Sequence, residues 1–320
     1  MKQATRKTIS YVLPVYNESA GIEAFYAALT EAVSKNNAYN YEFIFINDGS
    51  RDDSLAKLKA MHKKDRRVKI VNFSRNFGHQ IALTAGIDHA QGDALIIMDT
   101  DLQDPPSVSL ELVKAWEQGF DVVYAKRRSR IDGFFKKIAI HIYYRVQTRL
   151  ANIDIPLDTG DFRLIDRKVA NHLRALHEKH PYIRGLVSWL GFSQTAVEYD
   201  RQGRFAGETN YPFKKLVKLA LDGITGFSTV PLQLITRLGF LSSILSVVGI
   251  IYVLITRIFY AQLTLPGWAV TMIAILFMGG IQLITLGVMG TYVGRIYAEV
   301  QNRPRYVVSE FVTDEDEDKA

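Results

Sequence analysis

The sequence predicts an α/β domain on a mostly parallel sheet, followed by two helices that cross a membrane. Three observations carry this. Apolar runs of strand length alternate with segments of helical spacing from Ile9 to Ala125. The ends of several apolar runs carry acidic or amide side chains. Almost all charge lies before Arg237, and two stretches without charge follow, Leu238–Thr256 and Ile258–Gly294.

In chain order, Ile9–Val15 reads as the first strand, with Pro14 at its end, where proline suits a strand better than in its middle. Ile22, Phe25, Leu29 and Val33 are spaced for a helix, with Asn17 or Ser19 as its cap. Tyr41–Ile46 is the second strand, and a helix spans about Asp52 to Lys64. Val68–Asn72 is the third strand, Gly78–Ala90 a helix and Ala94–Met98 the fourth strand. The Asp104-Pro105 pair reads as the N-cap and first residue of a helix over Ser107–Gln118. Asp121–Ala125 is the fifth strand, and Phe162–Ile165 is strand-like.

The fourth strand runs into Asp99-Thr100-Asp101-Leu102-Gln103-Asp104. In an open α/β sheet, ligands bind beyond the carboxyl ends of the strands. An extended chain here would point Asp99, Asp101 and Gln103 the same way. Two carboxylates and an amide oxygen are hard ligands, suited to Mg²⁺ or Mn²⁺ carrying a diphosphate. Asn17, Glu18 and Asp48 end other strands and converge on the same edge. No Gly-x-Gly-x-x-Gly and no Gly-x-x-x-x-Gly-Lys-Ser/Thr occurs, which disfavours a dinucleotide site and a P-loop. There is no Cys, hence no disulfide and no thiolate metal site.

The net charge of +6 fits an anionic partner. Basic residues cluster at Lys126, Arg127, Arg128, Arg130, Lys136 and Lys137, and again at Arg201 and Arg204. From Tyr211 to Ile224 apolar residues at helical spacing alternate with Lys214, Lys215 and Lys218, the pattern of a helix in a membrane interface. The two uncharged stretches are each long enough to span a bilayer. Leu265-Pro266-Gly267-Trp268 breaks the second of them. Arg237, Arg295, Arg303 and Arg305 flank the pair and the loop from Tyr260 to Trp268 has no basic residue, so both termini are expected in the cytoplasm. Arg257 is the exception, near the outer end. Gly290 and Gly294 form a small-xxx-small pair that favours helix contact, a route to a homo-oligomer. The positive charge thus has a membrane explanation, and nucleic-acid binding is disfavoured. Met1–Thr8 is not read as a secretory signal, and Asp314–Asp318 is read as a disordered acidic tail.

Four segments together resemble the family 2 glycosyltransferases of GT-A fold: Pro14-Val15-Tyr16-Asn17-Glu18, Asn47-Asp48-Gly49-Ser50, Asp99 to Pro106, and Arg204-Phe205-Ala206-Gly207-Glu208-Thr209. The chain is most similar to the polyprenyl-phosphate glycosyltransferases, the bactoprenol glucosyltransferases and dolichyl-phosphate mannose synthases, over about residues 8–235. The two-helix end resembles the bactoprenol group. Where such proteins often have Lys, this chain has Asn210.

The resemblance implies a GT-A catalytic domain over 1–210, an interfacial helix region over 211–236, two membrane helices over 237–297 and a cytoplasmic tail over 298–320. It implies a nucleotide-sugar pocket of Pro14, Tyr16, Glu18, Asp48, Asp99 and Thr100, with Asp99, Asp101 and Gln103 toward Mg²⁺ or Mn²⁺. Arg127 would hold phosphate and Arg204 would stand near the acceptor phosphate; from the sequence itself, Lys137 of the basic segment is a further candidate for holding the acceptor, and Asp158, just before the strand-like Phe162–Ile165, is expected to orient the acceptor or its cationic ligands. The implied reaction passes a hexose, glucose from UDP-glucose first, to a polyprenyl phosphate such as undecaprenyl phosphate at the cytoplasmic face of the inner (plasma) membrane. Mannose, N-acetylglucosamine and aminopentoses stay open as the sugar. A processive polysaccharide synthase would carry Gln-x-x-Arg-Trp and more spans, and neither occurs. A membrane-anchored sensor without catalysis is the alternative of another class.

Overall fold

A computed structural model describes residues 6–128, 159–200, 230–259 and 267–314. The expectations placed on Lys137, Asp158, Arg204, Asn210, the interfacial helix over 211–224, the loop over 260–266 and the tail beyond Asp314 lie outside the described residues. The chain divides into two compact units, one holding most of the first 218 residues with 303–320, the other 219–302 with a short piece at 149–152.

The first unit is one eight-stranded sheet with helices on both faces. In chain order it holds β1 (Thr8–Val15), α1 (Ile22–Ser34), β2 (Asn40–Asn47), α2 (Ser54–Lys64), β3 (Val68–Phe73), α3 (His79–His89), β4 (Ala94–Ile97), α4 (Val108–Glu117) and β5 (Val122–Arg127). Then come β6 (Thr159–Asp166), α5 (Arg167–Ala175), α6 (Ile183–Trp189), β7 (Gln194–Tyr199) and, after the second unit, β8 (Val308–Val312). The strand order is β7-β5-β6-β4-β1-β2-β3-β8. Pairs β1–β2, β1–β4, β2–β3 and β5–β7 are parallel, whereas β6 runs antiparallel to both β4 and β5, and β8 antiparallel to β3. Four parallel pairs put the ends of β1, β2 and β4 on one edge, as a parallel sheet requires.

Burial explains the apolar runs. β4 is buried at all four positions and β1 at all but its first, so neither needs a polar face. One sheet face packs Tyr11, Leu13, Phe43, Phe45 and Phe162 against Phe25 and Leu29 of α1 and Leu112 and Trp116 of α4. Burying side chains of this size stabilises by about 1.5–3 kcal/mol each. On the other face α3 comes so close that a Cβ on Gly86 would stand 2.2 Å from Val12 Cγ1, so only glycine fits there.

Two local expectations are corrected. Asp104 does not cap α4: the cap is Ser107, without a side-chain bond, and the helix opens through tight bonds from Val108 to Pro105 and Ser109 to Pro106. Neither Asn17 nor Ser19 caps α1, whose cap is Gly21. Asn17 has a positive φ of 55° and its Oδ1 accepts from the Arg51 N–H (2.9 Å), so it ties the β1 and β2 loops together.

The end of the chain is the third correction. Residues 303–314, read as part of a tail, fold onto the sheet. β8 pairs Val312 with Ile70 and Val308 with Phe73, covering the edge β3 would otherwise expose. Arg305 donates to Leu176 O (3.0 Å), the C-cap carbonyl of α5, and to Asp88 Oδ2 (3.1 Å), which also accepts from Tyr306 (3.0 Å). Tyr306 stacks on Phe73 at 5.1 Å.

The second unit holds α7 (Val230–Phe259) and α8 (Trp268–Val300). Leu232–Ile255 and Val270–Val300 are long and apolar enough to cross a membrane, and neither is buried within the protein. Such exposed apolar helices are stable in contact with lipid, so this unit associates with a membrane.

Candidate active site

The first wall is built by the ends of β1 and β2. Pro14 is buried and its carbonyl accepts from Thr100 Oγ1 (3.1 Å), which ties the acidic loop to β1. Tyr16 is 45% exposed, an aromatic face open to a ligand. The Glu18 N–H donates to Ser54 Oγ (3.1 Å). Asp48 is 3% exposed, and its carboxylate accepts from Phe77 N (2.7 Å), Gly78 N (3.0 Å) and Asn76 Nδ2 (2.9 Å). Burial pushes its pKa up, against the pull of those bonds. Asp48 therefore shapes the loop over 75–78. Gly49 makes the approach possible: at φ 66°, a Cβ would meet the Arg75 carbonyl carbon at 2.4 Å.

The acidic loop is bent, not extended as the i, i+2, i+4 reading assumed. β4 ends at Ile97, and Leu102 turns left-handed at φ 59°. A bulky residue holds that conformation only where its surroundings enforce it. Leu102 packs against the core, and the Gln103 N–H donates to Asp101 Oδ1 (3.1 Å) in an Asx turn. Asp101 and Gln103 stay partly accessible, whereas Asp104 is buried and accepts from the Tyr199 hydroxyl. Tyr199 in turn accepts from Arg127 Nε (3.4 Å), so Arg127 stands beside the acidic loop, against Gly160.

Among the described residues no three Asp, Glu or His side chains gather into a metal cage of their own. A magnesium-type ion needs only one or two carboxylates when substrate phosphates complete its shell. The all-oxygen set of Asp99, Asp101 and Gln103 fits that case.

A further cluster adjoins Asp99. Asp161 lies in strand β6, with its side chain 6% exposed. It accepts from Arg184 Nε (2.7 Å) and Nη2 (3.0 Å) and from Gln80 Nε2 (3.3 Å), and His79 Nε2 stands 3.2 Å away. Burial alone would raise its pKa, but Arg184 and His79 outweigh burial and hold it well below the carboxylate range. A carboxylate so stabilised is a poor base. Burial opposes charge on His79, yet the bond to Asp161 and the charge of Asp99, 3.7 Å away, raise it to about 9. Asp99 is pushed up, by burial first and then by Asp161, Asp101 and Asp104, with His79 opposing.

Of the residues expected from sequence, the structure gathers Pro14, Thr100, Asp99, Asp101, Gln103 and Arg127 about the ends of β1, β4 and β5. His79, Gln80, Arg184 and Tyr199 were missed. Gly78-His79-Gln80 follows β3 at the ligand-binding edge, and that position was the available signal; helical spacing alone hid it. A cavity of about 390 Å³ between Lys7, Tyr39, Trp116 and Asp121 lies at the opposite edge of the sheet, by the starts of β1 and β5.

Residues 10–174 match the model of "Glycosyl transferase family 2". The chain is 50% identical over 300 residues to the uncharacterized glycosyltransferase YkcC of Bacillus subtilis, covering 93% of this chain and 92% of that one. It is 41% identical over 302 residues to the SfII prophage-derived bactoprenol glucosyl transferase of Shigella flexneri, covering 94% and 97%. Glucosyl-3-phosphoglycerate synthase from Mycobacterium tuberculosis, solved with Mn²⁺, UDP-glucose and phosphoglyceric acid, aligns with a TM-score of 0.45 and 21% identity over 68% of this chain and 78% of its own. Strands ending in acidic loops on one sheet edge, and relatives matched over nearly their whole length, lead to one conclusion: the chain is a GT-A-type glycosyltransferase and belongs to glycosyl transferase family 2.

Proposed function

We propose that this enzyme transfers a hexose, glucose from UDP-glucose, to a polyprenyl phosphate such as undecaprenyl phosphate, with inversion at the anomeric carbon. The observation that supports the reading is the union in one chain of an oxygen-rich sheet edge with two exposed helices long and apolar enough to cross a membrane. A water-soluble donor meets a lipid acceptor only if the catalytic unit works at a bilayer. The name of the 41% identical bactoprenol glucosyl transferase supports the same acceptor.

An acceptor phosphate oxygen forms the new bond to the anomeric carbon, and the bond from that carbon to the β-phosphate oxygen breaks, with its electron pair leaving on UDP. A phosphate monoester has a second pKa near 6, so the acceptor is largely dianionic at neutral pH and needs positioning more than deprotonation. Arg127, Lys137 and Arg204 hold the acceptor phosphate, and Asp158 orients it or its cationic partners. Pro14, Tyr16, Glu18, Asp48, Asp99 and Thr100 form the nucleotide-sugar pocket. Asp99, Asp101 and Gln103 hold Mg²⁺ or Mn²⁺, which when bound supplies positive charge for the diphosphate.

The test is a screen of radiolabelled nucleotide sugars against membranes containing the protein and undecaprenyl phosphate. Label from UDP-glucose is expected in a lipid-extractable product. A folded protein that labels lipid from no nucleotide sugar overturns the reading, and preference for another donor replaces the sugar.

The basic residues flanking α7 and α8 support a topology with the catalytic unit and both termini inside. In intact cells a Thr264→Cys variant is expected to react with an impermeant thiol reagent. Reaction only after permeabilisation would reverse the orientation.

A further inference from the structure

The chemistry above uses carboxylates at the tip of β4 and cations beyond β5, and leaves the cluster around Asp161 without a task. Three elements meet there: the first turn of α3, strand β6 and the first turn of α6. Arg184 grips both oxygens of Asp161 and sends Nη1 to Thr159 O (3.1 Å). Gln80 donates to Asp161 and accepts from the Ile183 N–H (3.0 Å), fixing the start of α6. An ion pair serving only to join β6 to α6 is complete at this point.

His79 goes further. Its Nε2 stands 3.2 Å from Asp161 Oδ2 and 3.7 Å from Asp99 Oδ1, the second being a charge contact beyond hydrogen-bond length. Exposure falls inward along the cluster: the side chains of His79 and Asp99 are 39% and 36% exposed, that of Asp161 6%. The arrangement is a buried anchor with an accessible tip, and the tip is the carboxylate that β4 delivers to the site. Asp99 makes its charge contact through a ring that is itself tethered.

We infer that His79 is a positioning residue for the donor: held on Asp161 by the Arg184–Gln80 frame, it fixes the orientation of the Asp99 carboxylate at the nucleotide-sugar site. The inference rests on the reading of Asp99 as a donor-site group. Outer partners of this kind are worth about 10–100-fold in affinity or activity, because small displacements of a binding group carry large penalties.

The test compares His79→Leu with His79→Gln in the full-length protein, since Gln carries an N–H donor near the place of Nε2. His79→Leu is expected to raise the donor KM and the Kd for UDP, measured calorimetrically, by about 10-fold or more, with the acceptor KM unchanged. His79→Gln is expected to recover most of that loss. Equal losses in both variants, or a lowered thermal midpoint with donor KM and UDP affinity at wild-type values, would overturn the inference. Asp101→Asn serves as the control: if it is inactive while His79→Leu binds UDP normally, only the inference falls, whereas full activity of Asp101→Asn removes the donor-site reading itself.

Discussion

Asp101→Asn is expected to lower turnover by on the order of 10²–10³-fold or more, the range seen when one preorganised electrostatic group is removed from a reacting centre. The substitution is unusually clean here. Asp101 Oδ1 accepts from the Gln103 N–H, and the Asn side-chain oxygen can accept the same bond, so the turn after Leu102 is kept. What disappears is the charge. Stability is expected to change by no more than about 0.5 kcal/mol, as for most substitutions at accessible positions. Initial rates with UDP-glucose would be measured for both proteins, with EDTA added and then reversed by Mg²⁺ or Mn²⁺. Full wild-type turnover in EDTA, or a variant as fast as wild type, would remove Asp101 and Gln103 from a metal-binding role.

The frame of the domain was legible because burial on both faces writes itself into β1, β2 and β4 as apolar runs, broken inside only at Ser10 and Glu42. The edge that gathers the acidic groups followed from parallel pairing alone. What happens beyond a strand end did not. The bend at Leu102 depends on packing from elsewhere in the fold, and Asp104 chose Tyr199, 95 residues away, over the nearby helix start. Local capping chemistry was a sound reading of Asp104-Pro105, and a tertiary hydrogen bond displaced it.

The antiparallel β6 was visible only as a strand-like run, because its place between β4 and β5 is set by pairing that no local pattern encodes. β8 was hidden for a different reason. Its five residues alternate in burial and stand next to an acidic run, and only the free edge of β3 gives them a partner. His79 and Asp161, 82 residues apart, share nothing in sequence that marks them as neighbours.

Asp161→Asn is expected to cost the catalytic unit about 3–5 kcal/mol at neutral pH, the range for removing one partner of a buried ion pair. The carboxylate holds Arg184 through both its oxygens, and His79 stands beside it. Arg163 is 4% exposed, its Nε has no hydrogen-bond partner among the described residues, and burial lowers its pKa to about 10 against the support of Asp161. With Asn in place these cations face one another across a neutral amide. The pH dependence has a definite sign. Asp161 is depressed well below its ordinary value in the fold, so its contribution is fully present above the unfolded value of about 3.9 and is lost as pH falls through the folded value. The stability gap between wild type and variant should thus be flat from about pH 7 down to about pH 5 and narrow on further acidification. Chemical denaturation of the full-length protein in detergent, followed at several pH values, measures it. A gap under about 0.5 kcal/mol at neutral pH, or one that widens toward acid, would show that Arg184 and His79 do not depend on this carboxylate for their place in the fold.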